Sequence, residues 1–267
     1  MTISRLPLAV YYRLSMNQIV QLLKKNKLLG LSLVANAGLL LALLFVFSEL
    51  KKHYTYYRHF RALPVGTSKA TSVTTPLADN SIVLFGDSRI ETWYPDPESE
   101  KYTFINAGVT GETTSEMKRR FERDVVRLQP EYVLIQAGMN DLTASVTKGI
   151  KEPEKLLLDM HNNLDFFVTT LEDQGIDVIV TSIIPNNHLS IFRKQFWFDT
   201  LDEEVQQANI KLKQTALQAG AEWLDLDPLY LNQKGKPVQE LFFDTLHINY
   251  EGYILLNSHL KEYLRQL

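Results

Sequence analysis

The chain has 267 residues, 45% of them hydrophobic, no cysteine, and a formal net charge of −3. That length allows one large domain with an appendage, and the missing cysteine excludes a disulfide framework, a thiolate nucleophile and a cysteine-based zinc site. Charge is unevenly divided. Residues 1–76 carry ten Lys and Arg against Glu49 alone (+9), and residues 77–267 carry 18 basic against 30 acidic side chains (−12), a balance without the basic footprint of a nucleic-acid partner.

In chain order, residues 1–27 form a basic N-terminal segment, and 10–27 (VYYRLSMNQIVQLLKKNK) read as an amphipathic helix on a membrane surface or as a helical extension of the apolar run at 28–50. Residues 28–50 (LLGLSLVANAGLLLALLFVFSEL) hold no charge before Glu49 and are long enough to cross a bilayer as a helix. A buried core helix fits poorly, because the run has no polar face. A cleaved signal peptide fits less well than an uncleaved anchor, since the preceding segment is long and no small-x-small site comes after the run. Basic residues flank both ends, so the positive-inside rule only leans toward a cytoplasmic N-terminus. That orientation makes a single-pass membrane protein with its large domain outside the cytoplasm. Residues 51–80 begin basic and aromatic and continue as PVGTSKATSVTTPLADN, which reads as an exposed stem.

From residue 81 short apolar runs alternate with helix-like stretches. The runs are Ser81–Phe85, Tyr102–Asn106, Tyr132–Ala137, Asp177–Ile184 and Ala221–Leu226; the helices are Glu112–Gln129, Glu152–Gln174, Asp202–Ala219 and Tyr250–Leu267. This alternation predicts a parallel sheet covered on both faces, with ligands at the carboxyl ends of the strands.

Each chemically suggestive block falls at such an end. Ser88 comes after the first run in Gly86-Asp87-Ser88, where Gly86 permits a tight turn. Gly-Asp-Ser alone reads first as an ordinary strand-to-helix turn with Ser or Asp capping. Asn106 to Thr114 includes Gly108 and Gly111, and a backbone N–H at Gly111 can approach a reacting carbonyl unhindered. Asn140, in Gly138-Met139-Asn140-Asp141, can offer an amide donor or close an Asx turn. Asp244 and His247 stand three apart before the last helix, an orienting carboxylate and an imidazole base. The other histidines, at 53, 59, 161, 188 and 259, show no metal-ligand spacing, so no metal is expected.

Taken together and in this order, the four blocks resemble the SGNH (GDSL-type) hydrolase superfamily over residues 81–265. The resemblance implies a flavodoxin-like three-layer α/β/α fold with a five-stranded parallel sheet across 81–267. It implies Ser88 as nucleophile, His247 as base and Asp244 as its orienter. It further implies an oxyanion hole from the Ser88 and Gly111 N–H groups and the Asn140 side chain, and no cofactor. The pattern differs from the Gly-x-Ser-x-Gly elbow of α/β-hydrolases.

Two features bear on the substrate. Arg89 places a guanidinium next to the serine, either for a substrate carboxylate or phosphate or as a surface partner of Glu91 or Asp141. Asn186–Thr200 (NNHLSIFRKQFWFDT) gathers His188 and Trp197 near a strand end, as a lid over substrate or as aromatics packed on the domain. The expected activity is hydrolysis of an acyl or acetyl ester, on a lipid, glycan or small molecule. Acyl transfer to an acceptor other than water, on an envelope glycan or lipid, would use the same residues; a catalytically inactive membrane-tethered binding domain is the non-enzyme alternative, and the intact Ser88, Asp244 and His247 speak against it.

Overall fold

The computed structural model describes residues 21, 25–60, 68–73, 76–77, 79–147, 152–187 and 201–267. The chain divides into two units, Met1–Ala62 and Leu63–Leu267. In the first, helix α1 runs from Lys27 to Phe60; within it Gly30–Ser48 has a mean hydropathy of 2.3 and none of it is buried. Most of the expected amphipathic segment lies outside the described residues.

The second unit is built on five strands: β1 Ser81–Gly86, β2 Thr103–Gly108, β3 Tyr132–Gln136, β4 Asp177–Thr181 and β5 Glu222–Leu224. All pair in parallel in the order β2-β1-β3-β4-β5. Every residue of β1 is buried, as a strand covered on both faces requires. Side chains alternate between two cores, as the two-residue strand repeat dictates. Val83, Phe85, Val133, Ile135, Val178 and Val180 face one core, where Phe85, Phe121 and Phe167 meet with ring centroids 4.8–5.6 Å apart. Ile82, Leu84, Leu134 and Ile179 face the other, against Ile90, Trp93, Tyr253 and Leu256. This is the flavodoxin-like α/β/α sandwich expected from the sequence. Its order reverses between β1 and β3, the switch point where such sheets open a crevice at their carboxyl ends.

The helices keep to the expected pattern with informative departures. Short α2 (Ser88–Glu91) leaves β1. The single helix expected over Glu112–Gln129 is instead α3 (Thr114–Lys118), α4 (Phe121–Asp124) and a 3-10 turn over Val126–Leu128. The break falls at Arg120, whose side chain is buried, and the segment stops at Gln129 with φ 47°, a left-handed terminus. An unexpected helix, α5 (Met139–Thr147), begins inside the third block. Then come α6 (Pro153–Glu172), α7 (Leu201–Gln218), α8 (Asp227–Tyr230) and α9 (Tyr250–Leu264).

Part of the expected stem is docked on this unit. Ala70 is fully buried in the Phe85 core, Ser68 Oγ donates to Asp124 Oδ2 at 2.8 Å, and Leu77 N–H donates to Leu128 O at 2.7 Å. A Thr/Ser-rich composition without apolar periodicity looks like exposed chain, yet Ala70, the Ser68 and Thr71 hydroxyls on Asp124, and Val73 and Leu77 packed against the core hold it.

Candidate active site

The end of β1 sets the first side chain. Gly86 does not serve by left-handed torsion; it serves by close approach, since a Cβ there would collide with the carbonyl of Gln136 on β3. Asp87 caps α2, its Oδ1 accepting from Arg89 N–H at 3.0 Å, which fixes Ser88 at the first helical position. From β2, Asn106 Nδ2 donates to Ile90 O at 2.6 Å while its Oδ1 accepts from Gly108 N–H at 3.0 Å. Asn106 thus ties the nucleophile turn to the neighbouring strand end.

The base arrives from the far end of the chain. The loop between the Phe242–Ile248 bridge is closed by Phe243 N–H to His247 O at 2.8 Å, and Asn249 caps α9 immediately after it. Within the loop, Asp244 Oδ1 accepts from the N–H groups of Leu246 (2.8 Å) and His247 (2.9 Å). The carboxylate also faces His247 Nδ1 at 3.0 and 3.1 Å. His247 Nε2 lies 3.0 Å from Ser88 Oγ. With its proton on Nδ1 toward Asp244, the ring presents a lone pair to the serine hydroxyl, the arrangement a general base needs. Burial alone would raise the Asp244 pKa. The His247 ring bond, its charge and the two N–H donors outweigh it and hold the carboxyl well below the usual range, ionised at neutral pH.

The third wall is different in kind. Gly111 sits at φ +78°, a conformation that favours glycine, with open space where a Cβ would point. Neither its N–H nor that of Ser88 has an acceptor among the described residues. Asn140, second residue of α5, does not present an unused amide: Nδ2 donates to Glu112 O at 3.0 Å and to Asp87 Oδ2 at 3.3 Å. Beneath it, buried Asp141 accepts from Thr114 N–H at 3.0 and 3.1 Å and from Thr114 Oγ1 at 2.6 Å. Burial outweighs these bonds and pushes its pKa up to about 7. Burial also raises the Asp87 carboxyl, against the Arg89 charge.

Ser88, Asp244, His247, Gly111 and Asn140 are therefore brought together. His188 and Trp197 lie outside the described residues. Arg89 departs from both sequence expectations. It is 2% exposed and pairs with neither Glu91 nor Asp141; its guanidinium donates to the carbonyls of Leu246 and Ile184. The backbone adjacency of Arg89 to Ser88 does not reveal this, because at a helical start successive side chains leave in different directions.

Sequence reasoning also misses Arg120. It donates to Gly86 O (2.9 Å) and Ala107 O (2.7 Å), the ends of β1 and β2, and pairs with Glu112 at 2.6 Å and Asp124 at 3.3 Å. The available signal is an Arg–Asp pair at i, i+4 set against the Met117–Phe121–Val125 apolar stripe, where a solvated charge has no place.

Comparison with known proteins bears on the family and the fold. A curated relative, the uncharacterized lipoprotein YqeF of Bacillus subtilis (strain 168), is 32% identical over 120 residues, 39% of this chain. The match spans about half (48%) of that relative's length. Among solved structures, a GDSL-like lipase from Bacteroides thetaiotaomicron VPI-5482 superposes with a TM-score of 0.61 at 21% identity, covering 74% of this chain and 94% of that one. An acetyl xylan esterase, AlAXEase, gives a TM-score of 0.57 at 18% identity, covering 69% and 99%. Such identities carry the fold alone. The family described as GDSL-like Lipase/Acylhydrolase matches residues 72–255, from Ser72 through the Asp244–His247 loop into α9. On that match the chain belongs to the GDSL-like lipase/acylhydrolase family, within the SGNH hydrolase superfamily of esterases.

Proposed function

We propose that the protein is a membrane-anchored serine ester hydrolase acting on short acyl esters, acetyl esters foremost, by a Ser88–His247–Asp244 relay. The observation that carries the reading is the continuous line from Asp244 through His247 to Ser88 Oγ, each contact near 3.0 Å. Ser88 Oγ attacks the ester carbonyl as His247 Nε2 takes its proton. Asp244 stabilises the imidazolium by its charge without taking the proton itself. The tetrahedral oxyanion is met by the Ser88 and Gly111 N–H groups and by Asn140, whose longer 3.3 Å contact with Asp87 is the one exchanged for the substrate oxygen. His247 then protonates the leaving alkoxide. Water, activated by the same imidazole, releases the acid and restores Ser88.

The acetyl preference draws support from the acetyl xylan esterase among the structural neighbours. The membrane address draws support from the exposed apolar span Gly30–Ser48 and from a relative named a lipoprotein. The substrate is then an ester on an envelope glycan, a lipid or a small molecule beside that membrane, with the catalytic unit on the extracytoplasmic side.

Labelling of the full chain in detergent with a fluorophosphonate probe tests the nucleophile: wild type is tagged at Ser88 and Ser88→Ala is not. A p-nitrophenyl ester series from acetate to palmitate tests the acyl group. A maximum at two to four carbons is expected, and an optimum at long chains would refute the acetyl preference.

A further inference from the structure

We propose that Arg89 is the positioning residue of the general base: a guanidinium carried on the nucleophile's own turn that clamps the peptide next to His247 and so sets the Ser88–His247 distance. This rests on the hydrolase reading above and adds a residue to it.

The Leu246–His247 segment is gripped at both ends. Leu246 N–H is held by Asp244 Oδ1, and Leu246 O accepts from Arg89 Nε at 2.9 Å. The same guanidinium reaches Ile184 O, just beyond β4, through Nη1 at 2.6 Å. Asn187 N–H on that β4 loop donates to Thr245 O at 2.8 Å, so the β4 loop and the base loop are joined twice. Arg89 is itself fixed from three sides. Its N–H is held by Asp87, its carbonyl accepts from Tyr253 OH at 2.8 Å, and Tyr253 OH meets Thr92 Oγ1 at 2.5 Å. One residue therefore connects the nucleophile turn, the β4 loop, the base loop and α9.

Two bonds from one planar fork define an angle as well as a distance. An ammonium on a flexible stem offers no such constraint. The arrangement is also expensive. Arg89 has no carboxylate within ion-pair distance among the described residues, and its Nη2 is buried with no partner. Arg89 lines a small, mostly apolar cavity with Ile90, Leu134, Leu226 and Leu256, and Gln136 Oε1, on a further lining residue, is likewise without a partner among the described residues. A buried cation on neutral acceptors with a donor unmet lowers stability relative to an apolar side chain of similar length. Fold stability therefore does not explain the residue, whereas base placement does.

The test uses the full chain in detergent, with Arg89→Met, Arg89→Lys and Arg89→Ala beside wild type and Ser88→Ala. Steady-state hydrolysis of p-nitrophenyl acetate and thermal melts are read on each. Arg89→Met is expected to melt at or above the wild-type temperature yet lose kcat on the order of 100-fold, the scale of a catalytic group misplaced by about 1 Å, with KM little changed. Arg89→Lys is expected to lose kcat similarly while folded. Added methylguanidinium is expected to restore part of kcat to Arg89→Ala and none to Ser88→Ala. Wild-type kcat in Arg89→Lys, a rise in KM alone, or a kcat loss in all three variants that tracks the folded fraction and ignores methylguanidinium overturns the proposal. If Arg89→Met does not fold, the Lys variant and the rescue decide. Activity surviving in Ser88→Ala would bring down the hydrolase reading and this proposal with it. Unimpaired Arg89 variants beside an inactive Ser88→Ala would bring down this proposal alone.

Discussion

The two sides of the site, proposed as base and as oxyanion hole, are held differently. Ser88, His247 and Asp244 are tied by side chains and backbone from β1, β4 and α9, with contacts of 2.8–3.1 Å along the relay. On the other side, Gly111 stands in open space at positive φ, and Asn140 spends its amide on Glu112 and Asp87. Proton transfer demands a short fixed distance before substrate arrives. An oxyanion donor acts only once charge develops, so an amide parked on a 3.3 Å contact costs little to redirect.

The largest effect expected to separate the two sides is at the relay. Ser88→Ala should lose roughly 10⁴-fold or more in kcat, leaving only binding and the oxyanion wall, as steady-state p-nitrophenyl acetate hydrolysis would show. Asn140→Ala removes one oxyanion donor and should cost about 3 kcal/mol, roughly 100-fold in kcat at similar KM. An Asn140→Ala enzyme with wild-type kcat would mean the amide stays on Glu112 and Asp87 throughout. Gly111→Ala meets no neighbour and pays only for its left-handed torsion, about 1 kcal/mol, visible as a lowered melting temperature. A larger kcat loss than melting predicts would show that the backbone there must move.

The smallest effects are in pH dependence, and the two sides oppose one another. Asp244 has a depressed folded pKa, so its stabilisation is present above the ordinary carboxylate value of 3.8 and is lost as pH falls below it toward the folded value. Asp141 is raised to about 7, so between 3.8 and 7 the folded state holds a proton that the unfolded state has released. Its cost is fully present above pH 7 and is relieved as pH falls toward 4. Melting temperatures from pH 8 to pH 5 should rise modestly in wild type, and Asp141→Asn should flatten that rise.

How far the sequence discloses this site depends on where each partner lies. The strands are legible because burial on both faces leaves continuous apolar runs such as Ile82–Phe85. The run Asp177–Ile184 extends three residues past its strand, because Ser182 to Ile184 stay buried after pairing ends at Thr181. The four blocks are legible because their glycines, amide and imidazole sit at strand ends in a fixed order. Arg89 is not, since its partners are backbone carbonyls, and Arg120 is announced only by its i, i+4 pair with Asp124. Arg89 reaches 95 and 157 residues along the chain, and no residue type at Ile184 or Leu246 announces an acceptor. The docking of the stem is hidden for the same reason: Ser68 and Thr71 find a carboxylate, Asp124, more than fifty positions away.

Ser88 and His247 are separated by 159 residues, with strands β2 to β5 between them. During synthesis the nucleophile emerges long before its base, and contacts of such sequence separation close last. A growing chain therefore carries an unactivated serine until α9 has docked and brought the base loop home. On the proposed relay, catalysis is a property only of the finished domain, and its onset after synthesis offers a clock for when folding is complete.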